Sequence, residues 1–502
     1  MRKRKFLAVP LACFALVSLG QISLYKNYGG LNEGTRKGIV TSDGGIAMVG
    51  YSYTFGSGLS DAYVIKTDSL GVLQWTKTYG SSQYYDEGSV VEQTANGGFI
   101  IGASTINGYV VIRTNENGVV QWVKRVTGKC SGLREDTNGD FIVAGTTNGI
   151  GSGGNDLYVS RLSSTGNFLW GRAYGGDQAD EFFDIDILGD GGFVLAGFTK
   201  SFGIVNGFSD AYLIAINATG DVLWNKTYGS EADDKIRSIA RTMDGGFILA
   251  GNTRGFGSLS SKYFLLKVNA IGEVEWSRVF GDEYPECVTQ TSDEGFVVAG
   301  YKNGYDGRVT KFSNLGAFEW SKSYTHVPMG IGQSLNGDLL LPGYYAQRFT
   351  LMRTSEDGYA GCNEMDELMS PLEATFEVNT PSSLVVSGGF ALPTTVLQGL
   401  GGLANTVCYS AETNVYSATN RLDLLQASPN PASSLLRIEV KGFNGGNCTL
   451  SLYDCRGVQL INQISMVGGT AIINTRDYSR GLYTVSVYSN GTLVGTSRVV
   501  FE

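Results

Sequence analysis

A motif of eight residues, DGGFILAG at 244–251, limits what this chain can fold into more than any other feature, because versions of it recur about every fifty residues. The copies begin at Asp43, Asn96, Asn138, Asp190, Asp244, Asp293 and Asn336. Periods of roughly 20–50 residues mark propellers or solenoids, in which each repeat buries its apolar face only against its neighbours. Within a copy, Asp or Asn followed by Gly supplies the positive φ angles of a tight hairpin turn, and the next residues are a short apolar run of strand-forming types. Each copy therefore predicts a turn followed by a strand.

The flanking sequence completes the unit. Upstream, a short alternating run such as 236–242 folds back against the motif; downstream, past a polar Gly-rich loop, come a strand-forming run (262–269), a turn at Gly272 and a Trp-bearing run (273–281). That makes four strands per repeat. The Trp-bearing runs hold all six tryptophans, Trp75, Trp122, Trp170, Trp224, Trp276 and Trp320. They read as packing residues between units, each contributing at most about 5 kcal/mol by burial. A seventh version at 23–29 has Leu24 where Trp would stand, and the last repeat stops at 358 without a Trp run of its own. Seven motifs, six internal Trp strands and one spare N-terminal strand close a ring, whereas a solenoid would carry polar capping repeats at its ends. The units loosely resemble kelch-type and WD-type blades. They are more similar to the Asp-Gly-Gly and Trp-Lys-x-Tyr-Gly-Gly arrays common in exported proteins of Bacteroidetes, a resemblance that covers about 22–358 and implies no single activity. The expected fold class is all-β: a seven-bladed β-propeller at 21–358, a connector or small β-rich module at 359–425, and a small C-terminal β-sandwich at 426–502.

Composition agrees with short strands and tight turns, since glycine is 70 of 502 residues and aromatics reach 11%. The formal charge is −9, and no basic run follows residue 5. Nucleic acid is therefore not an expected partner, because phosphate-backbone binding needs clustered Lys and Arg. Residues 1–20, a basic start followed by an apolar stretch ending in small residues, read as a secretory signal with cleavage before Gln21. No later segment is long and apolar enough for a transmembrane helix. Export permits disulfides. Cys362 and Cys408 flank the segment after the repeats, and a bridge between them is one open reading; Cys130 and Cys287 read as buried thiols, and Cys448 and Cys455 lie too far apart on one strand to pair.

The last seventy-odd residues alternate like strands of a small sandwich. Pro429-Asn430-Pro431 before the first strand, the turn containing Tyr453 and Asp454 and ending at Gly457, Gly481 and Tyr483 opening a late strand, and Arg498 before the terminal apolar run resemble the type A sorting domain of the type IX secretion system. That resemblance implies the secretion machinery as a partner, delivery from the periplasm across the outer membrane, and release or attachment at the cell surface.

Chemistry is sparse. A Ser-His-Asp hydrolase needs an imidazole, and the one histidine, His326, has no nucleophile elbow near it. Short-spaced Cys and His sets for zinc are missing. Glu87, Asp180, Glu181, Asp184, Asp186, Asp233 and Asp234 gather where one repeat runs into the next, which keeps open a carbohydrate-active enzyme with acids drawn from several blades; ordinary loop polarity explains them more simply. Asp61, Asp156 and Asp210 precede the third strand of their repeats, where local hydrogen bonding is the plain reading and calcium the alternative. No catalytic residue, metal site or other cofactor is assigned. The expectation is an exported, non-catalytic binding or adhesion module with a glycan or surface-protein ligand; the rivals are a hydrolase or lyase and a structural surface-layer component.

Overall fold

The computed structural model describes residues 22–106, 108–189, 191–204, 207–256, 261–281, 283–302, 306–361, 364–367, 369, 372–381, 384–389, 391–393, 397–400, 404–411, 425–428, 434–440, 448–454, 459–467, 469–489 and 492–501. Every repeat becomes one antiparallel sheet. Blade 1 runs Glu33–Val40, Ile46–Ser52, Asp61–Thr67, Leu73–Gly80, and blades 2 to 6 follow with inner strands Glu87–Gln93, Gly132–Glu135, Asp180–Ile187, Asp234–Arg241 and Tyr284–Gln290. Blade 7 pairs Leu339–Tyr345 and Arg348–Thr354 with the N-terminal strand Ile22–Tyr28, so the spare strand does fasten the ring.

Hydrogen bonds cross each of the seven junctions. Ser42 N–H donates to Gln93 Oε1 (2.7 Å), Ser89 Oγ to the Cys130 carbonyl (2.5 Å), Phe182 N–H to Thr146 Oγ1 (3.1 Å) and Ser238 Oγ to Asp184 Oδ2 (3.1 Å). Val288 N–H donates to Ser238 Oγ (3.3 Å), Ser292 N–H to Gln333 Oε1 (2.7 Å), and Thr35 Oγ1 to the Gly343 carbonyl (2.6 Å), which joins blade 1 to blade 7. This is a closed seven-bladed propeller, and its core lies between blades: Val194, Leu213, Ile236, Leu249 and Phe264, from blades 4 and 5, form one buried cluster.

The repeat turns differ from expectation in one respect. In blade 5, Gly245 N–H donates to the Thr242 carbonyl and Thr242 N–H to the Gly246 carbonyl, both at 2.9 Å, and only Gly245 takes a positive φ (85°). Asp244 stays on the ordinary side of the map. Its Oδ1 accepts from Gly246 N–H at 2.9 Å, so it works as a side-chain cap on a type I turn followed by a left-handed residue, not as a left-handed residue itself. In the sixth copy Glu294 occupies the left-handed position (φ 66°), and in the third the cap is Asp136 rather than Asn138. Asp190 lies outside the described residues.

Each tryptophan is half-buried and lies over the next blade's turn. Carbons of Trp75, Trp122, Trp170, Trp224, Trp276 and Trp320 stand about 3 Å from where a Cβ would be on Gly118, Gly166, Gly220, Gly272, Gly316 and Gly358, all at positive φ. Four residues on, Tyr79, Tyr174 and Tyr228 donate their hydroxyls to the carbonyls of Gly118, Gly220 and Gly272, each at 2.7 Å. Tyr28 does the same to Gly71, with Leu24 filling the Trp position.

The segment after the repeats is neither a plain spacer nor a module of its own. Met365–Asp366, Leu372–Glu373, Glu377–Asn379, Leu384–Ser387, Ala391–Pro393, Leu397–Leu400 and Ala404–Ala411 each add a fifth, outermost strand to one blade, in the order 6, 5, 4, 3, 2, 1, 7. It is a belt that circles the ring once, against the order of the repeats. An outer strand leaves backbone donors and acceptors unpaired, and the belt pairs part of each. Phe376 plugs it in, with its ring 5.0 Å from Phe256 and 4.9 Å from Phe264. Cys362 lies outside the described residues, and Cys408 sits in the last belt strand opposite Tyr25.

Residues 425–501 form two sheets, Leu425–Ser428, Leu435–Val440, Thr470–Asn474 and Gln459–Ser465, Cys448–Asp454, Gly481–Ser489, Thr492–Phe501, closed over a core that includes Leu436, Ile438, Leu450, Val485 and Phe501. This is the expected sandwich. Among the described residues no helix is long and apolar enough to cross a membrane.

Candidate functional site

The middle of the ring is filled by charge. Lys37 of blade 1 reaches across to Asp184 of blade 4 (3.8 Å), and Arg134 of blade 3 lies between Glu92 (3.5 Å) and Asp186 (3.9 Å). Asp184 also accepts from Ile239 N–H (3.1 Å). Burial pushes the Glu92 carboxyl above its usual range while Arg134 opposes the shift. Side chains from four blades thus meet in the channel, joined by a backbone N–H of the fifth.

Above these charges, on the face that carries the loops between second and third strands, lies a cleft of about 550 Å³ lined by Tyr51, Tyr301, Tyr344, Tyr345, Arg36 and Glu286 among others. A recess of about 340 Å³ bounded by Tyr51, Tyr53, Glu33 and Gln347 adjoins it. The backbone explains its position. Blade 7 joins its second and third strands by a two-residue turn, with Ala346 and Gln347 both at positive φ (48° and 58°), whereas blade 1 uses a long loop. A short connection leaves the mouth open there. Arg36 and Glu286 are the extra residues of β-bulges in their inner strands, between Thr35 and Lys37 and between Pro285 and Cys287, and bulges redirect side chains in this way.

The aromatic rings form an ordered wall. Tyr51 meets Tyr53 edge-on (5.4 Å between ring centres), Tyr53 meets Tyr85 (6.3 Å), Tyr284 stacks on Tyr301 (5.4 Å), and the Arg36 guanidinium sits 5.3 Å over Tyr51. Tyr53, Tyr85, Tyr284 and Tyr345 are exposed. Burial raises Glu286, opposed by Arg237, Lys37 and Arg36. Glu33 is pushed up to about 7 by burial, against hydrogen bonds from Gly30 and Ser52 and the charge of Arg348. Its Oε2 lies against Gly29, and the residue is 1% exposed although it lines both the cleft and the recess.

The residues singled out from sequence scatter over other roles. The turn residues Asp43, Asp244 and Asp293 pair with Lys66, Lys267 and Lys311 (2.8–2.9 Å), the buried cations of the third strands, on the face opposite the cleft. Asn96 accepts from Arg113 and Asn336 from Arg353. His326 is fully buried, its Nδ1 2.5 Å from Thr350 Oγ1, and burial drags its pKa to about 3, so it stays neutral and inaccessible. Cys130, Cys287 and Cys448 are buried free thiols. The cleft tyrosines carry a signal within the repeats themselves: after the Gly that ends each motif core, blades 1, 6 and 7 have Tyr51, Tyr301 and Tyr344, where the others have Ala103, Thr146, Phe198 and Asn252.

At the C-terminal end, Tyr483 stacks on Phe501 (4.2 Å) and donates its hydroxyl to the Ser479 carbonyl (2.5 Å), and Gly481 opens its strand. Tyr453 and Asp454 end the strand that pairs with it, and Arg498 lies opposite Thr484. Pro429, Asn430, Pro431 and Gly457 lie outside the described residues. Residues 427–502 match the family model described as the secretion system C-terminal sorting domain. The tail is a sorting domain. The chain is therefore a type IX secretion cargo, handled by that machinery and exported across the outer membrane.

No curated protein matches the chain. Solved structures similar to it include a protein of unknown function from Bacteroides caccae (10% identity, 60% of this chain and 93% of that one, TM-score 0.34). Drosophila Plexin A, solved in complex with Semaphorin 1b, is another (8% identity, 67% and 88%, TM-score 0.39). So is the V. cholerae biofilm matrix protein Bap1 (10% identity, 96% and 87%, TM-score 0.19). At these levels they say nothing of what this chain binds.

Proposed function

We propose that the sorting domain delivers a non-catalytic binding module whose ligand site is the tyrosine cleft at the mouth of the ring, and that residues 1–20, outside the described residues, are the signal that first takes it to the periplasm. The observation that carries this is the convergence of Tyr51, Tyr301, Tyr344 and Tyr345 from three adjoining blades on one open cleft. Tyrosine gives a flat apolar face with a polar tip at small entropic cost, which suits the faces and hydroxyls of a sugar polymer. An acid and base for glycoside cleavage would have to face each other there. Glu33 and Glu286 both line the cleft; Glu33 has the raised pKa of an acid but is 1% exposed and packed against Gly29, which leaves Glu286 as the more accessible of the two.

The test is titration of the full chain against a panel of glycans and cell-surface polymers, with each polymer assayed for cleavage. Saturable binding without cleavage is expected, and replacing Tyr51 and Tyr345 by Ala should weaken it by roughly ten-fold or more. Cleavage abolished by Glu286→Gln would establish the enzyme instead.

A further inference from the structure

The junctions between blades on the cleft side carry a second, repeated arrangement. Asp61, Asp156, Asp210 and Arg348 open the third strands of blades 1, 3, 4 and 7. The residue before each of them, Ser60, Asn155, Ser209 or Gln347, accepts a backbone hydrogen bond (2.6–2.9 Å) from Asp86, Asp180, Asp234 or Glu33, at the start of the next blade. The four sites are therefore structurally equivalent. Each also has a glycine wedged in it. A Cβ on Gly80 would stand 1.7 Å from Asp61 Oδ1 and 3.0 Å from Asp86 Oδ2, and one on Gly175 would stand 2.0 Å from Asp156 Oδ1 and 2.7 Å from Asp180 Oδ2. On Gly229 it would be 2.5 Å from Asp210 Oδ1.

Charge separates the four. Where the ring closes, the acid is Glu33 and its counterpart is Arg348, whose charge acts on it favourably. At the other three junctions both members are aspartates, and among the described residues none of the six makes an ion pair. Some of their oxygens are held: Asp61 Oδ2 accepts from Ser57 N–H and Asp210 Oδ2 from Ile204 N–H, both at 2.6 Å. Others are not. Asp86 Oδ1, Asp156 Oδ1 and Asp210 Oδ1 are buried without a donor, on residues no more than 1% exposed; Glu33 Oε2 at the closing junction also lacks a donor, but there the Arg348 charge opposes the cost. A buried carboxylate oxygen with neither donor nor counter-charge is costly, and two carboxylates side by side compound the cost.

We propose that the junctions Asp61–Asp86, Asp156–Asp180 and Asp210–Asp234 each bind a divalent cation of the calcium class, which ties adjacent blades together and supplies the positive charge that Arg348 brings near Glu33 at the closing junction. Calcium is a hard cation that takes six to eight oxygens and accepts carbonyls, hydroxyls and water beside carboxylates. Such a mixed set is required here, because no group of three or more His, Cys, Asp or Glu gathers among the described residues. Export places the sites outside the cell, where modules with dissociation constants of about 10⁻⁴–10⁻³ M fill. The ions and the tyrosine cleft are independent: the cleft is cut into blades 1, 6 and 7, whereas the three junctions join blades 1 to 2, 3 to 4 and 4 to 5.

Equilibrium dialysis of the chelator-treated full chain with calcium alone is the direct measurement. Three ions per chain and a higher melting temperature in calcium than in chelator are expected. Replacing Asp61, Asp156 and Asp210 together by Arg, the residue blade 7 uses, should abolish both effects; if that variant does not fold, Asp156→Asn should lower the stoichiometry by one. The proposal is overturned if no calcium binds at about 10 mM, beyond the weak extracellular class, or if the folded Arg variant binds as much calcium as the wild type.

Discussion

Trp224 and Gly272 show how one residue type can carry a whole interface when it is repeated. The indole covers the next blade's turn, and the turn tolerates it because Gly272 has no side chain there and sits at φ 76°. The ring is half-buried, so Trp224→Ala should cost about 3 kcal/mol, toward the low end for loss of a large aromatic, and denaturant titration of the full chain would read it. A loss below about 0.5 kcal/mol would mean that the indole only shields the turn from water. The same scale explains the buried lysines. Lys66, Lys267 and Lys311 are 4–6% exposed, and a turn aspartate of the same repeat pairs with each.

At the scale of elements, the belt is the feature that changes how the propeller must be handled. Its strands are two to eight residues long and stand alone, so they gain order only by pairing with an edge that is already formed. A chain ended at Gly358 would expose the outer strand of every blade, including the apolar groove that Phe376 fills between Phe256 and Phe264. Compared with one ended at Ala411, it should melt at lower temperature and scatter light at lower concentration. Equal melting and solubility would show that the belt merely lies along the ring. Short pieces with no sustained period carry no sign of a shared partner edge, so from sequence 359–425 reads as a connector or small β-rich module. Their partners are outer strands that stand up to some 380 residues away in sequence, as Ile22–Tyr28 does from Ala404–Ala411.

For the whole molecule, the order of parts matters. The ring closes by a strand from the N-terminus, the belt wraps it afterwards, and the sorting domain follows. Deleting 427–502 should leave a folded propeller in the periplasm, visible by fractionation and surface labelling, whereas unaltered surface display would remove the sorting role. The belt stays with the propeller in this deletion, which keeps a failure of export distinct from a failure to fold.

Sequence by itself determined the local and the periodic: seven turns and strands, the Trp and Gly pairs, the four-stranded unit, the ring inferred from the spare strand at 23–29, and the tail's family. These follow from interactions within a repeat or between one repeat and the next, which a period records. Tertiary structure decided what depends on closure. Tyr51 and Tyr344 are nearly 300 residues apart in the chain and become neighbours only because blade 7 meets blade 1, and the belt has meaning only once seven edges exist. The aspartate pairs belong to the same class. Asp156 and Asp180 are each explicable alone, and the unmet charge between them arises when the strand end carrying Gly175 brings two blades together.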